Sequence, residues 1–309
     1  MRQPSRPIRP DRLFPLLAAL SLAGCGGGDE PIVEETFMGV EVADAGLSGP
    51  RAIIYDAAAD VYLVSNVNGN PLEEDENGFI SRVSPEGEVL ALEWLPAAGE
   101  SATIDAPKGM AIRGDTLFVT DIGCVRIADR ETAEIHETRC LDGVTSLNGI
   151  DVAEEGSFFI SDSGYQLANG TAEPSATDAI YRLTFRAGVA GGTLAQGVDL
   201  NHPQGVAVGS RGIFVATGGG DLVRFTPTGE RTPIISDPNQ SFEGVVFVAG
   251  GGFAYSSSAD SSVRLVDGTG AVSVLVDGID APGDLGYDPV RNRVLIPLQN
   301  ENRLLFVDL

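Results

Sequence analysis

Six copies of one short pattern run through this chain, and a repeat of that kind restricts the fold more than any other feature of the sequence. The copies open at Gly49-Pro50-Arg51-Ala52-Ile53, Ala106-Pro107-Lys108-Gly109-Met110, Ser146-Leu147-Asn148-Gly149-Ile150, His202-Pro203-Gln204-Gly205-Val206, Ser241-Phe242-Glu243-Gly244-Val245 and Ala281-Pro282-Gly283-Asp284-Leu285. Each continues as an apolar strand, turns, and returns as a second strand rich in β-branched and aromatic residues, such as Leu117-Phe118-Val119-Thr120-Asp121 or Phe158-Phe159-Ile160-Ser161-Asp162. A third strand usually follows, such as Leu222–Phe225, and often a fourth after a Gly turn. Six four-stranded units predict an all-β fold, a six-bladed β-propeller of antiparallel blades over residues 37–309. No helical period of useful length appears after residue 25. The chain ends on a third strand, Arg303–Val307, so the last blade lacks its outer strand. The segment from Phe37 to Val42 can supply it, closing the ring and removing its open ends.

The first 24 residues read differently. Arg2, Arg6, Arg9 and Arg12 precede a short apolar run, Leu13 to Leu22, too brief to span a bilayer as a mature helix. Leu22-Ala23-Gly24-Cys25 resembles a bacterial lipobox. That resemblance implies a signal peptide over 1–24, lipid on the Cys25 thiol and acylation of its amine. Two or more acyl chains anchor a protein stably where one does not, at ~0.8 kcal/mol per buried CH₂. Residues 25–36 form a flexible tether, beginning Gly26-Gly27-Gly28. Gly26 is not the Asp that marks inner-membrane retention in enterobacteria. The expected address is therefore the outer membrane, facing the periplasm.

Without those 24 residues, which hold four Arg and Asp11, 16 basic and 43 acidic residues remain, a net charge of −27. No basic stripe is present to neutralise phosphates, so nucleic acid is excluded as a partner. The membrane is met through the lipid anchor only, and a monomer is expected. Cys124 and Cys140 flank a hairpin whose turn falls near Arg130 to Thr132. Centring the turn there sets the two cysteines opposite one another. In an oxidising compartment a cross-strand disulfide is expected; two free thiols or a metal pair are the alternatives.

The motif openings resemble those of the calcium-dependent lactonase propellers, the gluconolactonase and senescence-marker (regucalcin) family, with NHL-repeat propellers among its relatives. The resemblance covers about residues 37–309 and speaks to fold more than to activity. It implies a calcium ion, or another divalent cation, at the top of the central channel, held by a Glu from the first blade, an Asn from an Asn-Gly opening and an Asp from a Pro-Asp-Gly opening. Asn148-Gly149 matches the second. The third position reads Gln204. The first reads Arg51, or Ser48 with the other spacing. Calcium takes six to eight oxygens, several charged, so the family site is incomplete at two of three positions.

The residue before each motif Gly is expected to project toward the channel. Around the ring this gives Arg51, Lys108, Asn148, Gln204, Glu243 and Gly283, with Asp284 beside the last. Asp284 is expected to pair with Arg51, and Lys108 to face Glu243. Lys108 is the only lysine. It is a candidate anion binder or catalytic base, and His202 is the one candidate imidazole base. Asn148, Asp162, Glu243 and Asp284 are the candidate metal ligands. Asn66, Asp121 and Asp162 end second strands, where they either add ligands or simply favour turns. Two long loops, Asn68–Gly78 with its Glu73-Glu74-Asp75-Glu76 run and Ser163–Asp178 with Tyr165, belong to the same face. Three readings of function follow: a membrane-tethered propeller binding a small-molecule or peptide ligand at the channel mouth, with no cofactor; a metal-dependent hydrolase of the lactonase or esterase type; and a structural envelope protein.

Overall fold

Short apolar segments punctuated by Gly, Asn and Asp turns bury their faces by stacking sheet on sheet. That is the arrangement in the computed structural model, which describes residues 38–99, 102–186 and 188–309. The expected signal peptide, the lipidated Cys25 and the tether over 25–36 lie outside the described residues. The first strand, β1 (Gly39–Val42), belongs to the last blade. Blade one is β2 (Pro50–Asp56), β3 (Val61–Asn66), β4 (Phe79–Val83) and β5 (Val89–Leu95). Blade two is β6 (Pro107–Arg113), β7 (Thr116–Asp121), β8 (Cys124–Asp129) and β9 (Ile135–Cys140). Blade three starts with β10 (Leu147–Val152) and β11 (Phe158–Asp162). A separate hairpin, β12 (Tyr165–Ala168) and β13 (Thr171–Pro174), interrupts it before β14 (Ala179–Thr184) and β15 (Ala190–Gln196). Blade four is β16 (Pro203–Gly209), β17 (Gly212–Thr217), β18 (Asp221–Phe225) and β19 (Arg231–Ser236). Blade five is β20 (Phe242–Phe247), β21 (Phe253–Ser257), β22 (Ser262–Val266) and β23 (Val272–Val276). Blade six is β24 (Gly286–Asp288), β25 (Arg293–Leu298), β26 (Arg303–Asp308) and, outermost, β1. The strand from the N-terminal side thus closes the ring as expected, pairing antiparallel with β26 from Gly39↔Val307 to Val42↔Leu304.

The core is divided among the six seams between neighbouring blades. Leu63, Ile80, Met110 and Val119 pack between blades one and two, and Phe118, Phe158 and Ile160 between two and three. At the closing seam Ile53 and Tyr62 of blade one meet Leu295 and Phe306 of blade six. The buried Tyr62 hydroxyl donates there to Asp288 Oδ2 at 2.7 Å. A second tie crosses three of the seams nearer the axis. The hydroxyl next to the last residue of the second strand donates to the inner strand of the following blade: Thr120 to the Asn148 carbonyl, Ser161 to the Gln204 carbonyl, and Ser256 to the Gly283 carbonyl. These hydroxyls are buried and would cost free energy if unpaired. They explain the small polar endings read in the repeat.

Cys124 and Cys140 sit directly opposite in the β8–β9 register and form the expected disulfide. One local reading changes. Residues 163–178 are not a plain loop, because Asn169 (φ 53°) and Gly170 (φ 78°) turn a two-stranded hairpin there. Ala190-Gly191-Gly192 opens strand β15. Gly191 lies opposite Leu183, where an added Cβ would come within 2.1 Å of the Arg182 carbonyl oxygen.

Candidate functional site

The inner strands of blades one to five carry a register shift at the motif, between Pro50 and Ala52, Pro107 and Met110, Leu147 and Ile150, Pro203 and Val206, and Phe242 and Val245. A bulge bends its strand and re-aims a side chain. Here it turns Arg51, Lys108, Asn148, Gln204 and Glu243 into one cavity of about 370 Å³ on the propeller axis. The glycine after the motif residue has a steric cause. A Cβ on Gly149 would lie 2.6 Å from the Gln204 carbonyl oxygen, and one on Gly109 would lie 2.5 Å from that of Asn148. The inner strands approach so closely that only Gly fits. Blade six, with Gly283 at the motif position, contributes Ala281 and Pro282 to the same cavity.

Polar contacts on the cavity floor centre on Arg51. Its Nη2 donates to Glu243 Oε2 at 2.8 Å, Gln204 Oε1 at 3.0 Å and Asn148 Oδ1 at 3.4 Å. Asn148 Nδ2 donates in turn to Gln204 Oε1. Glu243 Oε1 accepts from the Ser241 and Ser258 hydroxyls at 3.2 and 3.3 Å. The expected pairings are therefore rearranged. Glu243 is the partner of Arg51, not of Lys108, because the long guanidinium stem crosses the channel from blade one to blade five. Asp284 does not pair with Arg51 through its side chain. Its backbone N–H donates to the Arg51 carbonyl at 2.8 Å. Its carboxylate lines a second cavity of about 260 Å³ farther along the inner strands, together with Asp151.

Lys108 is 2 % exposed, and its Nζ has no hydrogen-bond partner among the described residues. Burial pushes its pKa down to about 8; Asp121 and Asp162 oppose the shift from a distance, while Arg51 adds to it. Arg51, Lys108 and Glu243 are the charged groups of the cavity lining, leaving one cation in excess. Above this polar floor the wall is apolar and aromatic: Pro71 and Leu72 from the blade-one loop, and Tyr165 and Ala172 from the β12–β13 hairpin. Tyr165 stacks on His202, ring centroids 4.2 Å apart. Because a carbonyl can only accept, His202 Nδ1–H donates to the Ser163 oxygen at 2.8 Å, and Asp178 Oδ1 lies 3.3 Å from the same nitrogen. His202 does not line the cavity; it supports Tyr165 from behind, which is a positioning role. The Glu73–Glu76 run faces mainly solvent, with Asp75 half-buried and bonded to Asn77.

The strand-end carboxylates serve the backbone. Asp162 accepts N–H bonds from Thr145, Ser146 and Gly164, at 3.0 to 3.1 Å. Asp121 does the same for Asp105 and Ala106 and also binds Arg126. Asn66 accepts the Ser48 N–H. Each holds the turn that feeds its own blade's inner strand. The four candidate metal ligands are consequently not brought together: Asn148 and Glu243 meet at Arg51, while Asp162 and Asp284 are engaged elsewhere. Among the described residues no three of His, Cys, Asp and Glu cluster as metal ligands do. The oxygens at the mouth include one carboxylate and are directed at a guanidinium, so the donor set does not fit the calcium ion that the family resemblance implies.

The chain is a six-bladed β-propeller with a polar pocket at its channel mouth, and its fold is similar to that of solved gluconolactonases and of a streptogramin B lyase. A gluconolactonase from Xanthomonas campestris superposes with a TM-score of 0.63 at 17% identity, covering 85% of this chain and 87% of that one. A putative gluconolactonase gives 0.63 at 15% identity, covering 87% and 92%. Virginiamycin B lyase from Staphylococcus aureus gives 0.59 at 14% identity, covering 88% and 99%. These likenesses establish the fold. No protein-family model matches the chain, and no curated protein matches its sequence.

Proposed function

We propose that this chain is a membrane-tethered propeller that binds a small anionic ligand, a carboxylate or phosphate, at the channel mouth. The observation that carries the reading is the buried Nζ of Lys108, unpartnered among the described residues, beside Arg51. A buried ammonium is costly unless paired, and a ligand anion supplies the missing partner. The cavity volume is in the range of small-molecule sites. Its Tyr165 and Leu72 wall adds apolar contact for the ligand's body. In this proposal lipid on Cys25 holds the domain at the outer membrane, on the periplasmic side.

A second reading, lactone or ester hydrolysis, is favoured by the gluconolactonase neighbours and by the lowered pKa of Lys108. Since the mouth does not fit a metal, the version this chain supports is metal-free. The Lys108 amine would take a proton from water as the water oxygen attacks the carbonyl. It would return that proton to the leaving alkoxide as the C–O bond breaks, with Arg51 stabilising the oxyanion. The test is calorimetric titration of the mature chain with phosphate, D-gluconate and phenylacetate, and turnover of a lactone panel with and without chelator. Binding that weakens at least tenfold in Lys108→Met, with no turnover, supports the first reading. Chelator-insensitive turnover lost in Lys108→Met supports the second. If the panel neither binds nor reacts, both fail.

A further inference from the structure

Three side-chain oxygens from three successive blades converge on a single atom, Nη2 of Arg51: Asn148 Oδ1, Gln204 Oε1 and Glu243 Oε2. An Nη2 group carries two hydrogens, so three acceptors exceed what it can satisfy with directed bonds. The array is arranged around a charge, in the way oxygens surround an ion. It is also held from behind. The amide of Asn148 is oriented by Gln204, and the far oxygen of Glu243 is fixed by Ser241 and Ser258. The single carboxylate balances the one positive charge of the guanidinium.

We infer that Arg51 is a resident cation: its guanidinium fills an oxygen cradle that would otherwise take a metal ion, and the channel mouth is thereby built to operate without one. Blade one delivers this cation along with its strand, so the positive centre is present whenever the ring is closed. It cannot be removed by chelation. Among the described residues the cradle bonds all run through Nη2, which leaves Nε and Nη1 for a ligand in the cavity that Arg51 lines. The inference goes beyond the anion reading and does not depend on it, since its test reads cation binding rather than the ligand of Lys108.

The test is removal of the guanidinium. Arg51→Ala empties the cradle. Arg51→Met does so while keeping most of the stem's packing, and serves if the alanine variant does not fold. Arg211→Ala, an exposed position on blade four, changes the net charge equally and controls for the general attraction of an acidic protein. Calcium-dependent melting shifts and terbium luminescence are measured on the mature chain. The Arg51 variants are expected to bind one equivalent of cation at least tenfold more tightly than the wild type or Arg211→Ala, and Glu243→Gln added to Arg51→Ala is expected to cancel the gain. Two results would overturn the inference. One is a wild type that already binds an equivalent of calcium at the mouth and loses it in Glu243→Gln. The other is Arg51 variants that gain nothing over the Arg211 control.

Discussion

Replacing Lys108 by Met tests the buried amine directly, through a stability change whose sign is unusual. The folded protein holds this lysine's pKa at about 8, against an ordinary 10.5. Between those values the unfolded chain binds more protons than the folded one, so the lysine's contribution makes stability rise with pH across that window. Below about pH 8 the group is charged in both states, and the full penalty of burying it applies. At 1.36 kcal/mol per pKa unit that penalty is about 3 kcal/mol. Lys108→Met is therefore expected to stabilise the ligand-free domain at pH 7 by up to about 3 kcal/mol, or roughly 6–12 °C in Tm for a domain of this size. The advantage is expected to shrink as pH climbs from 8 to 10.5. The difference between wild type and variant isolates Lys108 from Asp121, Asp162, Arg51 and Glu243, which both proteins share. Urea melts across pH 6.5–10.5 measure it. Since Lys108 is the chain's one lysine, reductive ¹³C-methylation adds a single lysine resonance whose titration midpoint reports the same quantity. A variant less stable at pH 7, a difference that does not vary with pH, or a midpoint near 10.4 would each refute the reasoning. An anion bound at Nζ should move the midpoint upward and narrow the stability gap.

Two further outcomes are expected. Burial raises the Asp284 carboxyl to about 7 and that of Asp151 to about 6, with Asp151 also raising Asp284 through charge repulsion. For acids shifted in this direction the folded state holds protons longer, so their contribution to stability falls as pH rises from about 4 through 7. Asp284→Asn and Asp151→Asn should flatten that fall in pH-dependent melting, and unchanged profiles would show that the second cavity does not perturb them. Replacing both Cys124 and Cys140 by Ser frees a loop of sequence separation 16 and should cost about 3 kcal/mol in the loop-entropy model. A lower urea midpoint is the expected readout; an unchanged midpoint would argue against it.

Much of the fold was legible because propeller blades repeat. A four-strand unit cannot bury its faces alone, so six copies of one pattern leave few other arrangements. The closing strand followed from a missing outer strand in the last copy. The disulfide followed from centring one hairpin turn. The β12–β13 hairpin was missed although Asn169-Gly170 is a strong turn signal, because its short exposed strands show no apolar alternation. The site residues Tyr165 and Ala172 sit on that hairpin, and Pro71 and Leu72 on the loop facing the same cavity.

The ring of motif residues was likewise legible as a set, since the Gly that follows most of them marks close approach of backbones. Their partners were not. Arg51 reaches Glu243 because its stem spans the channel, a distance that only the closed ring defines. Asp284 turns to the second cavity, and Asp162 spends its oxygens on backbone N–H groups that the loop before blade three presents. The sequence by itself determined which side chains surround the axis, for that depends on a period and a glycine. Only the tertiary structure decided which of them neutralise one another and which, like Lys108, are left with a charge to satisfy. Pairing across a channel depends on distances between blades more than 90 residues apart in the chain, and no local pattern encodes them.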